Sequence, residues 1–175
     1  HKVMPDNICD KALDELQTAD FEQHRFYNDN TKELVNISGN DELDISNTDI
    51  SSKKIITNRL HAIIGSYIDN LKLPWFKGWN AYSSVRFNKY SKNKKMALHI
   101  DHIHSLFDGK LKGVPVLSII GVLNDDYEGG ELMFHGEEYK TKTGDVVMFP
   151  SNFLYPHMVK PVTKGTRYSF VSWVY

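Results

Sequence analysis

The spacing of apolar positions changes partway along the chain. After Asp6-Asn7, residues Ile8, Ala12, Leu13 and Leu16 form one stripe at helical spacing, which predicts a capped amphipathic helix. Ile55, Ile56, Leu60, Ile63, Ile64, Tyr67, Ile68 and Leu71 repeat that spacing after Asn47-Thr48-Asp49. They predict a longer helix over roughly residues 49–70 that backs a sheet. Between the two, residues 28–48 are polar, with Asn28-Asp29-Asn30 and Ser38-Gly39-Asn40-Asp41, and predict a loop or irregular crossing segment. From Trp79 onward the texture becomes short β-rich runs, predicting strands near 80–90, 96–103, 115–123, 131–135, 145–149, 155–161 and 166–174. Gly129-Gly130, Gly136, Gly144-Asp145 and Lys164-Gly165 punctuate them. The expected fold is α+β: a double-stranded β-helix (jelly roll) over residues 79–175, with helical support over 1–78 packed against one sheet.

Composition narrows the picture. A chain of 175 residues suits a single domain with a sizeable core. A net charge of -1 and a pI near 6.8 argue against a broad basic surface, although Lys89, Lys92, Lys94 and Lys95 form a local patch; nucleic acid is not an expected partner. The single cysteine, Cys9, excludes an intrachain disulfide and a thiolate metal cluster, and reads as packed on a helix. It fits a reducing compartment, so an intracellular, cytoplasmic location is expected. No apolar run approaches the roughly 18 residues of a membrane span. The start His1-Lys2-Val3 carries no signal-peptide pattern and no methionine, so the native N-terminus is not read from it.

The chemistry concentrates at His99-Ile100-Asp101. Residues i and i+2 of a strand face the same way, so His99 and Asp101 can hold one metal side by side while His157 closes the set from another strand. Chance alone supplies roughly 0.6 His-x-Asp triplets in a chain of this composition. Context strengthens this one: Met96, Leu98, Ile100 and Ile103 place it in a strand, where an inward aspartate is costly without a cation. His135-Gly136-Glu137 also offers ligand types at i and i+2, but its glycine falls where a hairpin should turn. His102 and His104 form another same-face pair, open to surface exposure, a hydrogen bond behind a ligand, or substrate contact. A hydrolytic zinc site would want His-x-His-x-Asp-His, and the order here differs.

Two imidazoles and one carboxylate leave one face of an ion open, the arrangement of non-haem Fe(II) oxygenases. Arg167 follows His157 on a final strand whose inward face carries Arg167, Ser169, Val171 and Trp173. A buried arginine costs several kcal/mol unless paired, and a bound dicarboxylate would pair it.

Together, Arg86-Phe87-Asn88-Lys89-Tyr90, His99-Ile100-Asp101, Gly129-Gly130-Glu131-Leu132, Gly144 to Pro150, His157-Met158-Val159, Gly165-Thr166-Arg167 and Trp173 resemble the prolyl 4-hydroxylase-like branch of the 2-oxoglutarate and Fe(II)-dependent dioxygenases, over roughly residues 80–175. The resemblance implies that His99, Asp101 and His157 bind Fe(II), that 2-oxoglutarate chelates it and leaves a position for O₂, and that Arg167 pairs with the far carboxylate. Oxidative decarboxylation to succinate and CO₂ would be coupled to hydroxylation of proline in a protein or peptide. Tyr90 falls where relatives place a cosubstrate-facing tyrosine, Trp173 matches an aromatic that in relatives lies close to the metal pocket, both being candidates for cofactor binding, and ascorbate is a candidate auxiliary ligand. Val122 departs from relatives that carry a tyrosine there for the cosubstrate carboxylate. Loop 102–113, with Asp108, and the segment Trp75 to Trp79 are candidates for a substrate rim, with Trp79, Tyr90 and Trp173 as apolar walls. A free amino-acid hydroxylase and a metal-dependent cupin remain alternatives. Nucleic-acid demethylases of the superfamily carry a further arginine on the last strand, where this chain has Trp173. Neither the target residue nor the oligomeric state is legible in these motifs.

Overall fold

The computed structural model describes residues 2–28, 31, 33–36, 39–76, 78–101 and 115–175. Helix α1 (Asp6–Leu16) is followed by four short strands, β1 (Glu22–Gln23), β2 (Phe26–Asn28), β3 (Glu33–Val35) and β4 (Asp44–Ser46), and then by helix α2 (Ser51–Leu71). The remaining strands are β5 (Arg86–Tyr90), β6 (Met96–His99), β7 (Leu117–Val122), β8 (Glu128–Gly129), β9 (Leu132–Phe134), β10 (Glu137–Tyr139), β11 (Val146–Pro150), β12 (His157–Val159), β13 (Val162–Lys164) and β14 (Arg167–Val174).

A six-stranded sheet runs β1-β4-β5-β14-β7-β11 and a four-stranded sheet β10-β9-β12-β6, with β8-β13 and β2-β3 as separate pairs. The strand pairs are antiparallel. Alternation splits the core in two. Tyr90, Ile120, Leu132, Phe134, Phe149 and Val159 form one apolar cluster that joins residues of the two sheets. On the other side Phe87, Ile119 and Phe170 pack with both helices. This is the expected jelly roll backed by helices. Gly121 of β7 is dictated by that packing: a Cβ there would lie 2.0 Å from the Phe170 ring.

The helices form as their stripes predict. Ile8, Cys9, Ala12 and Leu16 are buried on α1, and Ile56, Leu60 and Ile64, each 0% exposed, on α2; burying each of the latter contributes about 2 kcal/mol. Burial, then Asp6 and Asp10, pushes the Cys9 thiol up to about 11, which suits packing and not reactivity. The caps differ from expectation. Pro5 and Ile50 occupy the N-cap positions without side-chain capping bonds. Instead Glu15 of α1 takes up the N-terminus of α2: its Oε2 accepts from the Ser52 N–H at 2.9 Å and the Ser52 hydroxyl at 2.7 Å, and its Oε1 accepts from the Ser51 hydroxyl.

The predicted loop over residues 28–48 needs correction. Part of it forms β3, and Asp44–Ser46 becomes β4, which joins the large sheet beside β5 with Leu43 0% exposed. Predicted strand 80–90 is regular only from Arg86, and the strand begun at Met96 ends at His99.

Glu15 generates a pH prediction. Partial burial raises its pKa, but bonds from Lys11, Ser51 and Ser52 outweigh that and hold it at about 2. A carboxyl depressed in the folded state stabilises above its ordinary range, and this contribution is lost as pH falls toward about 2. Glu15→Gln is expected to destabilise the protein by about 1 kcal/mol at neutral pH. It should also flatten the acid limb of stability against pH, both read from urea unfolding monitored by circular dichroism.

Candidate active site

The last residue of β6, His99, faces the first residue of β12, His157, as a direct cross-strand pair. Their ring centroids are 4.2 Å apart. Asp101 lies just past the end of β6, with Oδ1 3.4 Å from His99 Nε2 and Oδ2 3.9 Å from His157 Nε2. One ligand atom from each of the three lies within 4.8 Å of the others. Both imidazoles are oriented from behind: His99 Nδ1 is 2.8 Å from the Ala97 carbonyl and His157 Nδ1 is 3.2 Å from the Tyr155 carbonyl. With Nδ1–H donating to those carbonyls, the Nε2 lone pairs point toward Asp101 and are free for a cation. His157 is 4% exposed, against Phe134 and Phe149. Burial and then His99 lower its pKa to about 4, so it is neutral at pH 7. Burial raises the Asp101 pKa, but His99 and His157 outweigh it and hold the carboxyl below its ordinary range. Two imidazoles and a carboxylate are a donor set suited to a divalent ion.

A cavity of about 510 Å³ opens on these three residues. Its other walls include Tyr90 of β5, Ile120 of β7, and Val171 and Trp173 of β14. Arg167 is not among the lining residues; it is 1% exposed and lies behind the Tyr90 wall, its guanidinium carbon 4.8 Å from the centroid of that ring. Its Nη1 donates to Ser169 Oγ at 3.0 Å, while Nε and Nη2 have no partner among the described residues. Gly130 gives its stem room: with φ +67, a Cβ there would lie 3.1 Å from Arg167 Cδ. Buried donors left unpaired cost about 1–3 kcal/mol each, so a planar acceptor such as a carboxylate is the expected complement. Val122 is 0% exposed and paired with Ser169.

The structure therefore brings His99, Asp101, His157, Tyr90 and Trp173 to one cavity, with Arg167 against Tyr90. It does not bring Trp79, which packs on His61 at 5.2 Å and Tyr82 at 5.7 Å beside the helical core. Trp75 is likewise absent from the walls and 74% exposed. His102, His104, Asp108 and the loop 102–113 lie outside the described residues, apart from which His135 and Gly136, with φ of 51° and 83°, form the hairpin turn between β9 and β10.

Sequence reasoning missed several wall residues. His24, Arg25, Phe26 and Leu34 come from the segment around β2 and β3, where strands of two or three residues carry no readable period. Arg86 and Asn88 were readable: they alternate with Tyr90 on β5 and share its face. Burial lowers the Arg86 pKa, with Tyr90 and Asp101 opposing.

A family profile described as the 2OG-Fe(II) oxygenase superfamily matches residues 85–175, more than half of the chain. The chain belongs to that superfamily. Fe(II), 2-oxoglutarate and O₂ are accordingly its cofactors, and it is a dioxygenase by family. A PKHD-type hydroxylase of Prochlorococcus marinus is 26% identical over 176 residues, covering 96% of this chain and 72% of that protein. One from Stenotrophomonas maltophilia is 36% identical over 99 residues, covering 53% of this chain but only 43% of its own length, so the match spans under half of that relative. Among solved structures, a prolyl-4-hydroxylase of Pseudomonas putida superposes with a TM-score of 0.66 at 18% identity, covering 99% of this chain and 89% of the other. A prolyl hydroxylase of Trichoplax adhaerens in complex with a hypoxia inducible factor oxygen degradation domain peptide fragment gives 0.69 at 17% identity, covering 96% and 76%. At these identities the structural likeness shows the shared fold.

Asp101→Ala removes the anionic donor and leaves two neutral ones. Anaerobic titration calorimetry is expected to show Fe(II) affinity lowered by roughly a hundredfold or more, with the unfolding midpoint of the metal-free protein little changed.

Proposed function

We propose that this chain hydroxylates proline within a protein or peptide, using Fe(II) and 2-oxoglutarate. The observation that carries the cofactor assignment is the pairing of a His-Asp-His donor set within 4.8 Å with a buried arginine, packed on the cavity-lining Tyr90, whose Nε and Nη2 lack partners among the described residues. The residues fit the group. His99, Asp101 and His157 would hold the metal, and Arg167 would take the 5-carboxylate of 2-oxoglutarate in a bidentate, charge-assisted contact. Bound there, the metal and cosubstrate supply O₂ activation for C–H hydroxylation, with succinate and CO₂ as coproducts. The protein's own share is orientation and exclusion of water. The Ala97 and Tyr155 carbonyls fix the imidazoles, Tyr90 closes over Arg167, and Ile120, Val159, Val171 and Trp173 give the cavity apolar surface.

The peptide reading draws support from the prolyl hydroxylases that share the fold, one of them with a peptide. A peptide-bound proline presents neutral amides and an apolar ring to these walls. Arg167, with donors that await an acid, favours the oxygenase over a cupin-like isomerase. Ascorbate enters as a candidate reductant. Among the described residues no helix is long and apolar enough to cross a membrane; a cytoplasmic setting is part of the proposal.

Arg167→Ala is expected to weaken 2-oxoglutarate binding by at least ~2 kcal/mol, with Arg167→Lys recovering part of it and metal affinity unchanged, all by calorimetry. Unchanged cosubstrate affinity would make the arginine structural. Proline-containing peptides should stimulate succinate formation more than free proline does, and mass spectrometry should show the peptide gaining one oxygen atom. Turnover of free amino acids with no peptide would defeat the peptide reading and leave the oxygenase standing.

A further inference from the structure

Among the described residues, three buried polar atoms on the walls of the cavity have no hydrogen-bond partner: Arg86 Nε, Asn88 Oδ1 and His24 Nδ1. None belongs to the metal-ligand set or to Arg167. Arg86 and Asn88 project from β5 on the face of Tyr90, and His24 comes from the segment between β1 and β2. The Arg86 guanidinium carbon stands 5.3 Å from the Trp173 ring centroid, which holds the fork on a flat aromatic face. Burial, then Arg86 and His99, lowers the His24 pKa to about 4, so at neutral pH it adds no charge.

Position separates this cluster from the cosubstrate anchor. In the β5-β14 pairing Tyr90 faces Arg167 and Arg86 faces Val171, so the two arginines leave the backbone four residues apart along the strands, about 14 Å at ~3.4 Å per residue, with the Tyr90 side chain between them. If the far carboxylate of 2-oxoglutarate lies on Arg167 and its keto-acid end on the metal, Arg86 remains unpaired.

Charge points the same way. Among the described residues the only acid on the cavity wall is Asp101, whose charge a metal would absorb, whereas Arg25 and Arg86 both contribute cationic groups. A bound 2-oxoglutarate dianion balances Arg167 and the metal's remaining positive charge; Arg25 is exposed and solvated, which leaves the buried Arg86 without a counter-ion. Desolvated cations demand an anion.

We propose that Arg86, flanked by Asn88 and His24, is the substrate-recognition site, and that it selects a substrate bearing a carboxylate close to the carbon that is hydroxylated. Arg86 would hold that carboxylate, and in a peptide Asn88 Oδ1 would accept an N–H from a residue beside the target, because an acylated proline has none of its own. In a peptide the acid is an acidic neighbour of the target residue or a free C-terminus. The assignment rests on the oxygenase reading of the cavity, but its test does not depend on turnover or on proline being the target.

The protein is loaded with Mn(II) and saturating 2-oxoglutarate, and four probes are titrated by calorimetry: N-acetylproline, N-acetylprolinamide, N-acetylalanine and N-acetylalaninamide. The acids are expected to bind roughly tenfold or more tightly than their amides in both pairs. Arg86→Gln should abolish that ratio without changing 2-oxoglutarate affinity, and Arg86→Lys should keep part of it. Acids and amides that bind alike to the unaltered protein, or acids that do not bind, would overturn the proposal, and this comparison needs no variant to fold. An Arg86→Gln protein that keeps the acid preference but binds 2-oxoglutarate roughly tenfold more weakly would also overturn it, placing Arg86 on the cosubstrate's own carboxylate. Acid preference with no advantage of the proline pair over the alanine pair supports the site while counting against proline as the target.

Discussion

The antiparallel register of β12 on β6 is the constraint on which the candidate centre depends. Pairing His157 with His99 puts two imidazoles 4.2 Å apart by centroid, and Asp101 then needs only one residue of irregular backbone to reach both Nε2 atoms. Side chains alternate with period two, so a slip of one residue would turn His157 away from its partner. Packing holds the register. Phe134 on the neighbouring strand stacks on the His157 ring, Phe149 meets it edge-on, and Leu132 and Val159 are buried in the same cluster. The apolar core between the sheets and the ligand geometry are therefore one structure.

The same sheets create an electrostatic demand. β5 and β14 carry Arg86 and Arg167 inward at opposite ends of their pairing, each over an aromatic ring, Trp173 and Tyr90 respectively. Each guanidinium keeps at least one buried N–H without a partner. Cation-π contacts of about 1–2 kcal/mol offset only part of the several kcal/mol that burying a charge costs. Fold stability alone would be better served by apolar residues there, which is why both arginines read as binding groups.

Much of this was legible in the residues, and the failures share a cause. The long stripe of α2 and the alternation of β7 and β14 repeat often enough for a period to show, and His-x-Asp with a later His and Arg carries its own chemistry. His99, Asp101 and His157 thus lie together in space, and Arg167 lies against Tyr90 of the cavity wall. Strands β1 to β4 span two or three residues each, too few for a period, and their pairing is set by tertiary contacts. Hence the polar crossing segment concealed a sheet strand and part of the cavity wall. Helix capping was misread for a similar reason: the carboxylate that takes up the start of α2 lies 37 residues upstream of Ser52. Trp79 was assigned to the cavity on aromatic character alone, and packing sends it to the helical side. Arg86 was overlooked although its alternation with Tyr90 placed it on the cavity face.

The most direct test is a crystal structure of the protein with Mn(II) and 2-oxoglutarate, with the metal located by anomalous scattering. The account predicts one metal peak among His99 Nε2, the Asp101 carboxylate and His157 Nε2, with the far carboxylate of 2-oxoglutarate on Arg167 Nε and Nη2. A metal bound elsewhere, or a cosubstrate whose carboxylate does not reach Arg167, would contradict it.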